Sequence, residues 1–265
     1  MDKGVSTGTD CEALADALAT ARKTRHPIAP ISKTHPGFTV EEAYAVQEVT
    51  TGRRLAAGER IVGHKIGLTS PAVQAQLGVS EPDFGMLFDA DRVADGGTLS
   101  MDTLIQPKVE AEIAFILKDD LSAGPVTNER AAAAIDYAVA AIEIVDSAIE
   151  DWKITLPDTV ADNASAAKFL IGTDCLPLDK VDLHLAGMEL LHNGRQASLG
   201  VAAACLGNPL NAVVWLANKM IELGRPLGRD DIVLSGALGP MVTVAAGDEI
   251  IVHVQGFKPL HLSFA

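Results

Sequence analysis

Helical periodicity confined to the first 75 or so residues, followed by a succession of short apolar runs, predicts an α+β protein with a helical N-terminal arm on a β-rich body. No internal repeat and no low-complexity linker interrupts the pattern. The reading divides the chain into a helical N-terminal region, residues 1–78, and a β-rich body, residues 79–265.

Each element has a local reason. Residues 11–23 (CEALADALATARK) carry apolar positions at helical spacing, and His26-Pro27 and Pro30 interrupt them. Thr39-Val40-Glu41-Glu42 has the form of a capping box and opens a helix running toward Leu55. Ile61–Gly67 reads as a short apolar strand. Ser70-Pro71 then starts a short helix that Gly78 ends, with Ser at the N-cap and Pro at the first helical position. Strand-like runs follow at Lys108–Leu117, Ala140–Val145, Lys168–Ile171, Met188–His192, Asp231–Leu234 and Glu249–Val254. Asn193-Gly194 reads as a tight hairpin turn. Two helices are expected between the strands, about 128–138 and 209–223, and Pro82–Gly85, Gly124-Pro125 and Leu156-Pro157 read as loops.

Composition excludes several classes. The chain has 265 residues, 48% hydrophobic and 21% charged, which is ordinary for a globular protein and neither a disordered chain nor a disulfide miniprotein. The net charge of −14 offers no basic patch for nucleic acid or for an anionic membrane. It does not exclude a small anionic substrate, because a bound metal inverts the local field. The longest weakly polar stretch, Ala131–Ile149, carries Asp136, Glu143 and Asp146, so no transmembrane helix is expected. The N-terminus lacks the apolar run of a signal peptide. Cys11, Cys175 and Cys205 are odd in number and widely spaced, as in reduced thiols of a cytoplasmic protein.

The run Gln106–Leu117 is the most informative. Side chains alternate in a strand, so Val109, Ala111, Ile113, Phe115 and Leu117 share one face, while Glu110 and Glu112 share the other with Ala114 and Ile116. A wet face with two solvated glutamates would read the same way. Glu143, alone at the centre of Ala140–Asp146, favours a different arrangement: an unpaired carboxylate inside an apolar strand is costly without a cation. Three carboxylates form an oxygen site suited to Mg2+ or Mn2+. Zinc fits poorly, since no His or Cys stands at ligand spacing, and His253 reads as a core residue.

Lys65 sits in a short apolar strand between Gly63 and Gly67. It either snorkels from a strand end or, beside a metal, moves a proton or holds an enolate or carboxylate. Asp83 is a general base or an Asx-turn residue. Asp162-Asn163-Ala164-Ser165 is a turn that can also offer hydroxyl and amide donors to a substrate carboxylate.

GHKIGLTS (63–70), EPDFG (81–85), QPKVEAEIAFIL (106–117), IEIVDS (142–147), DWKITLPDTVADNAS (151–165) and GNPLNAVVWLANK (207–219) together resemble 2-hydroxypenta-2,4-dienoate (2-keto-4-pentenoate) hydratases of the fumarylacetoacetate hydrolase superfamily. The resemblance covers roughly residues 15–255. It implies a mixed β-roll, a divalent metal held by Glu110, Glu112 and Glu143, an active-site Lys65 and an acid/base Asp83. Ser165, with His64 and Lys168, is implied on the substrate side. The metal would chelate a 2-oxo acid, and members are typically homo-oligomers, pentamers or paired pentamers. The implied reaction ketonises a dienol and adds water at carbon 4 to give a 4-hydroxy-2-oxo acid, as in aromatic meta-cleavage catabolism.

Related activities are 2-oxohex-3-enedioate (4-oxalocrotonate) decarboxylation and a non-catalytic role as partner subunit of a paralogous decarboxylase. Decarboxylases tend to carry an apolar residue where this chain has His64. The carbon–carbon hydrolases usually have Asp where this chain has Glu143. Two positions depart from the hydratase pattern: Ala148 stands where an Arg is usual, and Phe257-Lys258-Pro259 replaces a GSVSARF-like C-terminal segment.

Overall fold

A computed structural model describes residues 9–71, 74–75 and 79–265. The helix expected from Ser70 to Gly78 lies largely outside the described residues. The N-terminal helices begin where side chains satisfy orphan backbone donors. In α1 (Cys11–Thr24) the Asp10 carboxylate accepts the Ala13 N–H at 3.0 Å. After the short α2 (Ile31–Thr34), α3 (Val40–Ala56) opens with the expected capping box, Thr39 and Glu42 each accepting the other's backbone N–H. Leu14, Leu18 and Ala21 of α1 pack with Ala43 and Val46 of α3 against Ala148, Ile149, Val160 and Ala161, a small core of its own.

The body comprises β1 (Ile61–Gly67), β2 (Asp83–Phe88), β3 (Gly97–Leu99), β4 (Pro107–Leu117), α4 (Asn128–Ala134), β5 (Ile135–Asp146), α5 (Leu156–Ala161), β6 (Ala166–Ile171), β7 (Gly187–His192), β8 (Arg195–Val201), α6 (Pro209–Glu222), β9 (Ile232–Leu234), β10 (Val242–Thr243), β11 (Glu249–Val254) and β12 (Leu260–Phe264). The larger sheet has seven strands in the order β2-β1-β9-β4-β5-β6, with β10 on β4. The smaller has five, β3-β12-β11-β7-β8. β1–β9 and β12–β3 are parallel and the other pairs antiparallel, so the body is the mixed roll that the resemblance implies.

The alternation read in β4 decides how the sheet is used. Val109, Ala111, Ile113, Phe115 and Leu117 enter the main core, shared with the smaller sheet and with Ala212, Val213, Leu216 and Met220 of α6. The opposite face carries Ala114 and Ile116 of β4 into a second cluster with Leu87, Val139, Ala141, Phe169 and Leu234. Both faces of the sheet are therefore largely covered, and Glu112 and Glu143 on the second face are buried.

Three expectations are corrected. Pro82–Gly85 does not lie wholly in a loop: Asp83 begins β2, a fully buried strand paired antiparallel with β1. The helix expected to reach residue 138 ends at Ala134, where pairing of Ile135–Asp146 with β4 and β6 outweighs alanine's helix propensity. Leu156-Pro157 opens a helix rather than a loop, with Pro in its first turn and the Asp158 carboxylate accepting the Thr155 N–H at 2.8 Å. β3, β10 and β12 are strands that the sequence pattern does not predict.

Phe115 is fully buried at the centre of the main core. Phe115→Ala should destabilise the fold by about 3–5 kcal/mol through a cavity that the two sheets cannot close. A denaturant midpoint within error of the parent would contradict this core assignment.

Candidate metal centre and active site

Register brings the acidic residues together. Glu110 of β4 is paired directly with Glu143 of β5, and Glu112 follows two residues along the same face. Their carboxylate oxygens lie within 4.8 Å of one another. Glu112 and Glu143 are fully buried and Glu110 is half-buried, so the cluster has one open side. Glu112 Oε2 accepts the Gly236 N–H at 2.8 Å. Glu112 Oε1 and both oxygens of Glu143 are buried without a hydrogen-bond donor of good geometry among the described residues. Orphaned, converging carboxylate oxygens of this kind suit a hard divalent cation.

Lys65 is the counter-charge. Its Nζ lies 3.4 Å from Glu143 Oε1 and donates to the Ala164 carbonyl at 2.9 Å. Asp83 joins from β2, opposite Gly67 in the β1–β2 register. Gly67 is required here, because a Cβ would collide with Asp83 Oδ1 and crowd Lys65 Nζ. Asp83 Oδ1 is buried without a partner among the described residues.

The charges perturb one another strongly. Burial, reinforced by Glu143, pushes Glu110 up to about 7. Burial, with Glu143 and Glu110 adding to it, holds Glu112 well above the usual carboxylate range. Glu143 and Asp83 are raised by burial against the opposing pull of Lys65. Burial works to neutralise Lys65, but Glu143, Asp83, Glu110 and Glu112 outweigh it and keep the ammonium charged above its usual range.

The Asp162–Ser165 turn closes one side. Asn163, Ala164 and Ser165 all adopt left-handed backbone angles, φ 56°, 51° and 56°. Such angles cost non-glycine residues on the order of 1 kcal/mol each or more and persist only where surroundings impose them. Here Asn163 imposes them by pairing its side-chain amide with both the N–H and the carbonyl of Met86, at 2.8 and 3.0 Å. Gln47 of α3 ties the same corner, donating to the Phe84 and Val160 carbonyls. Ser165 is buried, its Oγ 3.3 Å from Thr159 Oγ1.

Glu110, Glu112, Glu143, Lys65 and Asp83 thus share one sheet face, with the Ser165 segment beside them. Two expected substrate-side residues do not join them. His64 alternates with Lys65 and lies on the opposite face near Phe84, where burial, with Arg225 adding, lowers it to about 4. Lys168 is paired in register with Ile144 on that opposite face and donates to Asp91 at 2.8 Å. It lines a cavity of about 330 Å3 with Arg22, Arg54, Asp91 and Asp162, and none of the three clustered glutamates lines that cavity. Phe257-Lys258-Pro259 connects β11 to β12 in the smaller sheet. Sequence reasoning missed the Ala164 carbonyl and the Gly236 N–H, which as backbone groups leave no side-chain signature.

Residues 65–264 match the fumarylacetoacetate hydrolase C-terminal domain family. The 2-keto-4-pentenoate hydratase of Paraburkholderia xenovorans (strain LB400) is 49% identical over 96% of this chain and 94% of its own. The 2-hydroxyhexa-2,4-dienoate hydratase of Comamonas testosteroni is 42% identical over 97% and 96%. Among solved structures, the 4-oxalocrotonate decarboxylase of Pseudomonas putida G7, complexed with magnesium and adipate, superposes with a TM-score of 0.94 at 37% identity, over 99% of this chain and 100% of that one. The chain belongs to the fumarylacetoacetate hydrolase superfamily and, within it, to the 2-keto-4-pentenoate hydratase family.

Because burial and mutual repulsion raise Glu110 to about 7 and raise Glu112 as well, protons compete with a cation for these carboxylates. Mn2+ affinity should rise from pH 6 to pH 8 with net proton release, read by calorimetry in buffers of different ionisation enthalpy. Carboxylates raised on folding also make the metal-free protein bind more protons folded than unfolded, so its thermal midpoint should fall over the same interval. A pH-independent affinity would contradict the coupled cluster.

Proposed function

We propose that this chain is a divalent-metal-dependent hydratase that adds water to a 2-hydroxy-2,4-dienoate of the 2-keto-4-pentenoate type, giving a 4-hydroxy-2-oxo acid. The observation that carries the reading is the three-glutamate cluster facing Lys65 and Asp83, in a chain 49% identical over 96% of its length to a 2-keto-4-pentenoate hydratase.

Glu110, Glu112 and Glu143 are assigned as the ligands, and all-oxygen donors suit Mg2+ or Mn2+. A bound cation supplies Lewis-acid polarisation of the 2-oxo group. Lys65, 3.4 Å from Glu143 and held by the Ala164 carbonyl, is placed to donate a hydrogen bond to the negative charge that develops on the substrate oxygen at carbon 2. Asp83, raised by burial, is suited to hold and release a proton. In the ketonisation a proton leaves the 2-hydroxyl and one is delivered to carbon 5, giving an α,β-unsaturated 2-oxo acid. Water then places its hydroxyl on carbon 4 and a proton on carbon 3. The Ser165 segment, beside the Lys65 acceptor, is assigned to the substrate carboxylate.

The reading includes a cytoplasmic homo-oligomer, a pentamer or decamer; exposed Leu185, Leu199 and Met241 fit subunit contacts. No helix among the described residues is long and apolar enough to cross a membrane. The similarity to the 4-oxalocrotonate decarboxylase supports a second reading, decarboxylation of a 2-oxo-enedioate.

An ultraviolet assay on freshly generated 2-hydroxypenta-2,4-dienoate, with mass analysis of the product, tests both. Metal-dependent loss of dienol absorbance with gain of one water is expected. Glu112→Gln should abolish Mn2+ binding and lower the rate by on the order of 100-fold or more. Carbon dioxide release from the dicarboxylate, with no water gain on the monocarboxylate, would favour the second reading. A Glu112→Gln chain that binds metal and hydrates normally would refute the site.

A further inference from the structure

We infer that Arg22, on the N-terminal helix α1, is a positioning residue for Lys65, acting through the Asp162–Ser165 turn. The inference rests on the role assigned to Lys65 above.

Arg22 reaches across from α1 to two buried carboxylates. Its Nη2 and Nε donate to Asp162 Oδ1 at 2.6 and 3.1 Å. Nη2 also donates to the Asp146 carbonyl at 2.9 Å, and Nη1 lies 3.5 Å from Asp146 Oδ2. The two aspartates depend on it unequally. Asp146 also accepts the backbone N–H groups of Ile105 and Gln106, so the end of β5 is held without the guanidinium. Among the described residues the Asp162 carboxylate has one other donor, the Ala148 N–H at 2.8 Å. Asp162 is 3% exposed, burial raises its pKa, and Arg22 is the largest opposing influence. A buried carboxylate without its cation protonates or moves.

Either response reaches Lys65. Asp162 leads directly into the left-handed run, and its carbonyl accepts the Ser165 N–H at 2.9 Å. Regular secondary structure does not fix the direction of the Ala164 carbonyl inside that run. It is fixed from one side by the Asn163 amide on β2 and from the other by the Asp162 anchor. This carbonyl accepts the Lys65 ammonium at 2.9 Å. Arg22 lies outside the matched family region, residues 65–264, so the N-terminal arm contributes to a site whose chemistry sits in the body.

The test uses the full chain with Arg22→Met, which keeps bulk without charge, and Arg22→Lys, which keeps charge without the fork. For Arg22→Met, kcat on the dienoate should fall at least tenfold, with KM and the Mn2+ dissociation constant within about twofold of the parent. Arg22→Lys should recover a substantial part of kcat. Acetylation of Lys65 by acetic anhydride, followed by mass spectrometry relative to exposed Lys180, should accelerate severalfold in Arg22→Met. That readout needs no turnover. If the parent chain fails to convert the dienoate, the proposed function falls while acetylation still decides whether Arg22 positions Lys65. Should Arg22→Met fail to fold, the cycle of Arg22→Lys with Asp162→Asn replaces it, and the double variant should lose no more kcat than the worse single one. Unchanged Lys65 acetylation, additive losses in the cycle, or a parallel collapse of kcat, KM and Mn2+ affinity would overturn the inference.

Discussion

Everything at the centre of this protein depends on four carboxylates and one ammonium buried against a single sheet face. Glu110, Glu112, Glu143 and Asp83 repel one another in a medium where each is poorly solvated, and Lys65 supplies one positive charge against them. The arrangement is stable only when further positive charge arrives, as protons or as a metal ion. The same imbalance that makes the fold costly makes the site suited to a divalent cation.

The scaffold is built to tolerate this imbalance. The β4–β5 pairing is the longest among the described residues and sets Glu110 opposite Glu143 within two largely buried strands. The main core lies on the other face, so the charged face is spared the task of packing the two sheets together. Strands hold the glutamates, while short backbone segments at strand ends supply hydrogen-bond partners. Gly236 supplies a donor to Glu112, and Ala164 supplies an acceptor to Lys65. Precision comes from the sheet, and hydrogen-bonding diversity comes from the connections.

How much of this the sequence carried follows from which signals survive without a structure. The carboxylate trio was legible because a period of two places Glu110 and Glu112 on one face, and because a lone Glu143 in an apolar strand demands a partner. Asp83 was legible as chemistry but not as structure. Pro82 and Gly85 are loop-forming residues by composition, and only the pairing of Asp83–Phe88 with β1 makes Asp83 and Gly85 part of a strand. The helix that stops at Ala134 failed for the same reason, since alanine runs follow whichever tertiary partner is available. The resemblance implies His64 and Lys168 on the substrate side, and the fold points both the other way. Alternation sends His64 through the sheet to the far face, and Asp91 takes the Lys168 ammonium.

Position 148 lies where the N-terminal helices meet the body. Ala148 is fully buried in the small core between the N-terminal helices and α5, with its N–H given to Asp162. A guanidinium at this position would have to displace the contacts that seat the arm on the body. The cation facing Asp146 and Asp162 is Arg22, in the last turn of α1 and more than a hundred residues away in the chain. Packing of the arm and neutralisation of the two aspartates are therefore one event. Leu18 and Ala21 bury against Ala161 and Ile149 while Arg22, next in sequence, closes on Asp162. A helix that looks like an appendage to the β-rich body is tied by its own hydrophobic stripe to the turn on which Lys65 rests.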